Sequence, residues 1–99
     1  MITYARTSTA LPGKAFEYMA AQQESIAHAT RASGVKWTLA MGVGGVVGQF
    51  SLWSTVDSLA DVDVALGKLM ADAEWRAATA KVQSLTIPGS THDQIWRQV

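Results

Sequence analysis

The stretch Met41–Phe50, "MGVGGVVGQF", decides how the chain is to be read. Four glycines, Gly42, Gly44, Gly45 and Gly48, fall within seven residues. Such a run either cradles a phosphate or turns the chain. A dinucleotide fingerprint needs Gly-x-Gly-x-x-Gly between a strand and a helix. Gly42 and Gly44 open that pattern, but Val47 stands in the third glycine's place. A P-loop needs a lysine directly behind its glycines, and the next lysine is Lys68. Both motifs hold their anion at a helix N-terminus, where free N–H groups face it. Here Gln49–Ser54 follows, with Phe50 and Leu52 opposite Ser51 and Trp53, which is strand alternation. Glycines supply positive φ in tight connections. The stretch reads as a hairpin loop between two strands.

The strand before it is Val35–Met41, with Val35, Trp37, Leu39 and Met41 on one face. Ahead of that, Phe16, Met19, Ala20, Gln23, Ile26, Ala27 and Thr30 recur at three and four, predicting an amphipathic helix of about five turns. Gly34 is placed to end it in a left-handed conformation. The "LPG" of Leu11–Gly13 separates it from a first strand, Met1–Thr7. Beyond the hairpin, Ser58 or Asp57 predicts an N-cap, with Asp61 as capping-box partner. Leu59, Val62, Leu66, Leu69 and Met70 form the expected buried stripe of that helix. Asp72 predicts a second N-cap, with Trp75, Ala78, Thr79, Val82 and Leu85 continuing at helical spacing. "IPGS" breaks the helix, and Thr91–Arg97 is the last strand.

The order β-α-β-β-α-(α)-β predicts an α+β, ferredoxin-like βαββαβ sandwich over residues 1–99, with a four-stranded antiparallel sheet and its helices on one face. The other sheet face then needs a cover. A chain of 99 residues has a modest margin of stability, and dimerisation is one way to raise it.

Charge excludes several function classes. Eight basic and eight acidic residues give zero formal net charge, without a run of Lys or Arg, so no nucleic-acid partner is expected. Without cysteine, disulfides and thiolate chemistry are absent. No apolar run approaches the ~20 residues of a membrane span, and the first residues lack the pattern of a signal peptide. A cytoplasmic protein with no cofactor and no metal is the expectation. Asp57, Asp61 and Asp63 cluster where a helix begins, and they read as dipole and capping residues rather than metal ligands.

Three patches, "ALPGKAFE", "DAEWRA" and "IPGSTHDQIWR", resemble the small bacterial NIPSNAP-like members of the dimeric α+β barrel superfamily. That resemblance implies a homodimer, two chains closing a barrel through their open sheet faces. The superfamily includes cofactor-independent monooxygenases, heme-degrading monooxygenases and small isomerases. The heme-degrading branch resembles a set of Asn, Trp and a helix-borne His. This chain has no asparagine, and His28 lies on the first helix rather than the second, so heme degradation is not expected.

The residues that could carry chemistry are few. His28 falls on the polar side of its helix. His92 and Asp93 are adjacent on a strand and point to opposite faces. Four tryptophans, Trp37, Trp53, Trp75 and Trp96, stand among sixteen alanines and suit a core, an interface or a pocket for a flat ligand. Tyr4 and Arg6 share a face of a central strand, where Arg6 needs a carboxylate across the dimer or an anionic ligand. His92 and Trp96 share a face of the neighbouring strand. Tyr4, Arg6, Trp37, Trp53, His92 and Trp96 are therefore the ligand-binding candidates, with Tyr4, Arg6, His92 and Trp96 converging if the faces match. The expected function is a homodimer that binds a small aromatic or anionic molecule. The alternative is a cofactor-independent monooxygenase or isomerase acting on an aromatic or polyketide-like substrate. There Arg6 would stabilise negative charge and His92 would move a proton.

Overall fold

The computed structural model describes all residues, Met1–Val99. Its elements follow the expected order: β1 (Ile2–Thr9), α1 (Ala15–Ser33), β2 (Thr38–Met41), β3 (Gln49–Val56), α2 (Leu59–Ala71), α3 (Ala73–Ser84) and β4 (His92–Arg97). The strands form one antiparallel sheet in the order β2-β3-β1-β4. The glycine stretch is the β2–β3 loop, with Gly45 and Gly48 at φ of 77° and 79°. No helix is long and apolar enough to cross a membrane.

Local chemistry places the helix ends. The Ser58 side chain accepts from the Asp61 N–H while the Asp61 carboxylate accepts from the Ser58 N–H, a complete capping box. Asp72 separates α2 from α3 and accepts from the Trp75 N–H at 2.9 Å. The same carboxylate takes Nη1 and Nη2 of Arg31 on α1, each at 3.0 Å. One aspartate thus caps α3 and ties the helix break to α1. Gly34 closes α1 at φ 73°.

The three helices cover the sheet face that carries Ile2, Tyr4, Arg6 and Ser8. Two buried clusters lie beneath them. Ile2, Tyr4, Trp37 and Leu69 belong to one; Ala10, Tyr18, Phe50 and Val82 belong to the other. Arg6 comes between them along β1. The opposite face carries Thr3, Ala5, Thr7, Trp53, His92 and Trp96, and no element of the chain covers it.

Three expectations are corrected. The buried face of α1 is Tyr18, Ala21, Gln22, Ser25, Ala29 and Ser33; Phe16 is 85% exposed and Ala20, Gln23, Ala27 and Thr30 are exposed too. The polar members of that face are tolerated because each has a partner. Tyr18 bonds the Ser8 hydroxyl and accepts from Gln22 Nε2 at 3.0 Å, and Ser33 Oγ donates to the Ala29 carbonyl at 2.6 Å. On α2, Val62, Ala65 and Leu69 are buried, whereas Leu59 and Met70 are exposed. Finally, β2 starts at Thr38 instead of Val35, because the segment before it is tied back to α1. Ser33 Oγ accepts from the Val35 N–H at 3.2 Å and from Trp37 Nε1 at 3.1 Å.

Candidate functional site

Arg6 is the centre of the site. β1 sets it on the helix-covered face, directly opposite Asp93 of β4. Arg6 Nε donates to Asp93 Oδ1 at 2.7 Å and Nη2 to Oδ2 at 2.9 Å, a bidentate fork. Two residues along, Tyr4 donates its hydroxyl to the same Oδ2 at 2.8 Å. Arg6 Nη1 makes no hydrogen bond within the chain.

Three recesses meet at Arg6. The first is an apolar cavity of about 160 Å³ between the sheet and the helices. Trp37, Leu52, Leu66, Leu69 and Trp75 wall it, with Tyr4, Arg6 and Asp93 as its polar side. The Tyr4 ring meets Trp37 edge-on, centroids 6.0 Å apart at 89°, and Trp37 is held from behind by Ser33. Trp75 is fixed by the Asp72 cap at the start of α3. The second recess is small and neutral-polar, reaching Ser8, Gln22, Ser25 and Thr79. The third is an open mouth between Met70, Trp75, Arg76 and Gln83. There Arg76 donates Nη1 to the Met70 carbonyl at 2.6 Å and has no carboxylate partner.

The charges around the cavity are fixed. Burial pushes the Tyr4 hydroxyl up to about 12, helped by Asp93, so it stays neutral. The hydrogen bond to Asp93 raises Arg6 further above its ordinary value. The Arg6 guanidinium holds the Asp93 carboxyl below the usual carboxylate range. None of the three exchanges a proton near neutral pH. The arrangement is suited to binding and orienting, and to stabilising negative charge, rather than to shuttling protons.

The candidates from sequence divide between two faces. Tyr4, Arg6 and Trp37 line the cavity. Trp53, His92 and Trp96 lie on the open face of the sheet, because β1 pairs Ala5 with Trp53, Thr7 with His92 and Thr3 with Trp96. Tyr4 and Arg6 therefore do not converge with His92 and Trp96. Their place beside Arg6 is taken by Asp93, and the partner expected across a dimer comes from the same chain. Alternation along β4 does separate His92 from Asp93. Trp75 and Asp93 were not among the candidates; an unpaired central arginine with one acidic residue on the adjacent strand was the available signal. His28 sits at the α1–α3 seam, its Nδ1 3.5 Å from Glu74 Oε2.

No family model matches the sequence, and no curated protein matches it. Solved structures do. An uncharacterised NIPSNAP domain protein from Burkholderia xenovorans superposes with a TM-score of 0.85 at 18% identity, over 100% of this chain and 95% of that one. A NIPSNAP family protein from Agrobacterium tumefaciens gives 0.84 at 24% identity, over 99% and 85%. SnoaB, a cofactor-independent oxygenase from Streptomyces nogalater, gives 0.72 at 13% identity, over 98% and 91%. The chain has the ferredoxin-like fold that NIPSNAP proteins share with such oxygenases, as the three sequence patches implied.

Proposed function

We propose that the protein is a homodimeric small-molecule-binding domain. Its ligand would lie in the cavity between Trp37 and Trp75, and its open sheet face would be covered by a second copy. The observation that carries the binding half is an apolar cavity of about 160 Å³ with a free guanidinium edge at one side. Apolar walls with a few convergent polar groups are the usual make-up of a ligand site. The dimer half is supported by the sheet. Trp53 and Trp96 stand exposed on a face that no element covers. The chain exposes 6058 Å², against roughly 5,500 Å² for a compact monomer of its mass. Trp53, His92 and Trp96 then belong to the interface.

Native mass spectrometry of freshly purified protein tests both halves. The expected result is the mass of two chains, with a small molecule retained. A monomer at micromolar concentration would overturn the dimer. For the cavity, Leu66→Trp fills it, and loss of the retained mass in that variant is the expected outcome; unchanged retention would place the ligand elsewhere.

A second reading, a cofactor-independent monooxygenase or isomerase, is favoured by one observation. The fixed Arg6 cation beside an apolar cavity would stabilise an enolate or phenolate. The likeness in fold to SnoaB supports it. His92 lies on the other sheet face, so the substrate proton would leave through the mouth to solvent. Oxygen uptake with a ring substrate, abolished in Arg6→Gln, is the expected outcome of that reading; equal uptake in both proteins would overturn it.

A further inference from the structure

The three recesses are lined by only three charged residues, Arg6, Arg76 and Asp93. Asp93 is already engaged: both oxygens take Arg6, and one also takes Tyr4. Arg76 has no carboxylate partner, and Arg6 Nη1 has no acceptor. The site thus carries one uncompensated positive charge, divided between the cavity's polar edge and its mouth. The closed end has a different character. About 160 Å³ is close to the ~150 Å³ of an apolar cavity known to hold one benzene ring. A second fused ring would have to leave between Met70 and Trp75 into water. The indoles of Trp37 and Trp75 line the cavity and give it aromatic surface for a ring to pack against.

Resting on the binding reading above, we propose that the site takes a monocyclic aromatic anion, its ring in the apolar cavity and its charged oxygen on Arg6 Nη1, with Arg76 at the mouth adding attraction. A phenol that binds from its neutral form releases its proton to the buffer and is held as phenolate. The lining groups cannot supply or take that proton, because Tyr4 and Asp93 keep their protonation states across neutral pH.

Three fluorinated rings of similar size test this by fluorine NMR on the intact protein: difluorophenol with both fluorines beside the hydroxyl, meta-difluorobenzene, and difluorobenzylamine, which is a cation. Difluorophenol should bind about tenfold tighter than difluorobenzene, the worth of a hydrogen bond to a charged group. Its bound signal should be that of the phenolate at a pH where the free compound is still half protonated, and the amine should not bind. Equal affinity for phenol and benzene, with a neutral-phenol signal, would overturn the anion while leaving the cavity standing. Failure of all three rings to bind would overturn the cavity itself. A fluoronaphthol that binds tighter than difluorophenol would overturn the single-ring limit. Should Arg6→Ala fail to fold, Arg76→Ala decides, since Arg76 is exposed. It should weaken the phenolate roughly two- to fivefold and leave difluorobenzene unchanged; identical phenolate binding in Arg76→Ala would overturn the reading that the positive charge of this site holds the anion.

Discussion

Arg6 and Asp93, 87 residues apart in the chain, meet as a two-pronged ion pair across adjacent strands. Their side chains are 38% and 39% exposed, so water screens the attraction and its worth lies near the upper end of surface pairs. Tyr4 adds a third bond to the same carboxylate. Replacing Asp93 by Ala leaves a guanidinium and a buried tyrosine hydroxyl without their acceptor. We expect a loss of about 1–2 kcal/mol, read from urea unfolding midpoints. An unchanged midpoint would show that the pair contributes nothing to stability.

The same triad shapes the dependence of stability on pH. The Asp93 carboxyl titrates lower in the folded chain than in the unfolded one. Its contribution is present above the unfolded value, about 4, and is lost as pH falls through the folded one. Tyr4 is raised to about 12. Its contribution is present below the unfolded value, about 10, and is lost as pH climbs through 10 towards 12. Unfolding midpoints should therefore be flat across neutral pH and fall at both ends. The fall in acid should be shallower in Asp93→Asn, and the fall in alkali shallower in Tyr4→Phe. Curves that superpose on the parent's would contradict this assignment.

Ser54 stands opposite Tyr4 on β3, and its buried hydroxyl has no hydrogen-bond partner. A desolvated hydroxyl without a partner is a cost that alanine does not carry. Ser54→Ala should leave the protein as stable as before or up to about 1 kcal/mol more stable. A clear destabilisation in thermal or urea unfolding would mean that the hydroxyl is engaged, for instance by bound water.

Ala5 sits in the middle of the open sheet face, beside Trp53 on one side and Gln94 on the other. An arginine there should remain solvated in a single chain and be trapped without a partner charge between two. Ala5→Arg should keep its far-UV circular dichroism and weaken dimerisation more than about a hundredfold, the order expected for an uncompensated buried charge. Light scattering that still gives the mass of two chains would show that this face is not the interface.

Local chemistry made much of this fold legible. The Ser58–Asp61 box, the Asp72 cap, the Gly34 terminus and the glycine hairpin are each read from a few consecutive residues, and each stands where expected. Facing was harder. The buried side of α1 includes Gln22, Ser25 and Ser33, whose partners are Tyr18 on the same buried side, Thr79 on α3 and Trp37 just past the helix end. An apolar count therefore pointed the helix towards Phe16. The site suffered likewise. Both faces of β1 carry small or polar residues, Thr3, Ala5 and Thr7 on one and Arg6 and Ser8, beside Ile2 and Tyr4, on the other. Ile2 and Tyr4, on the face of Arg6, are the sign that this face meets the helices. With the opposite face expected to be covered by a second copy, the alternation alone does not decide between them. Only the β1–β4 register shows that Arg6 belongs with Asp93 and not with His92.

That β1 lies between β3 and β4 has a consequence in time. During synthesis β1 precedes both neighbours, so it has nothing to pair with when it appears. The α1 helix, the β2–β3 hairpin and the capped α2 need only nearby residues and form in microseconds once made. Arg6 must wait 87 residues for Asp93, on the order of ten seconds at ribosomal speed. The β4 edge of the sheet is thus assembled last, against a strand that was there first, and a chain stalled before β4 would carry Arg6 with its cavity open and its counter-charge missing.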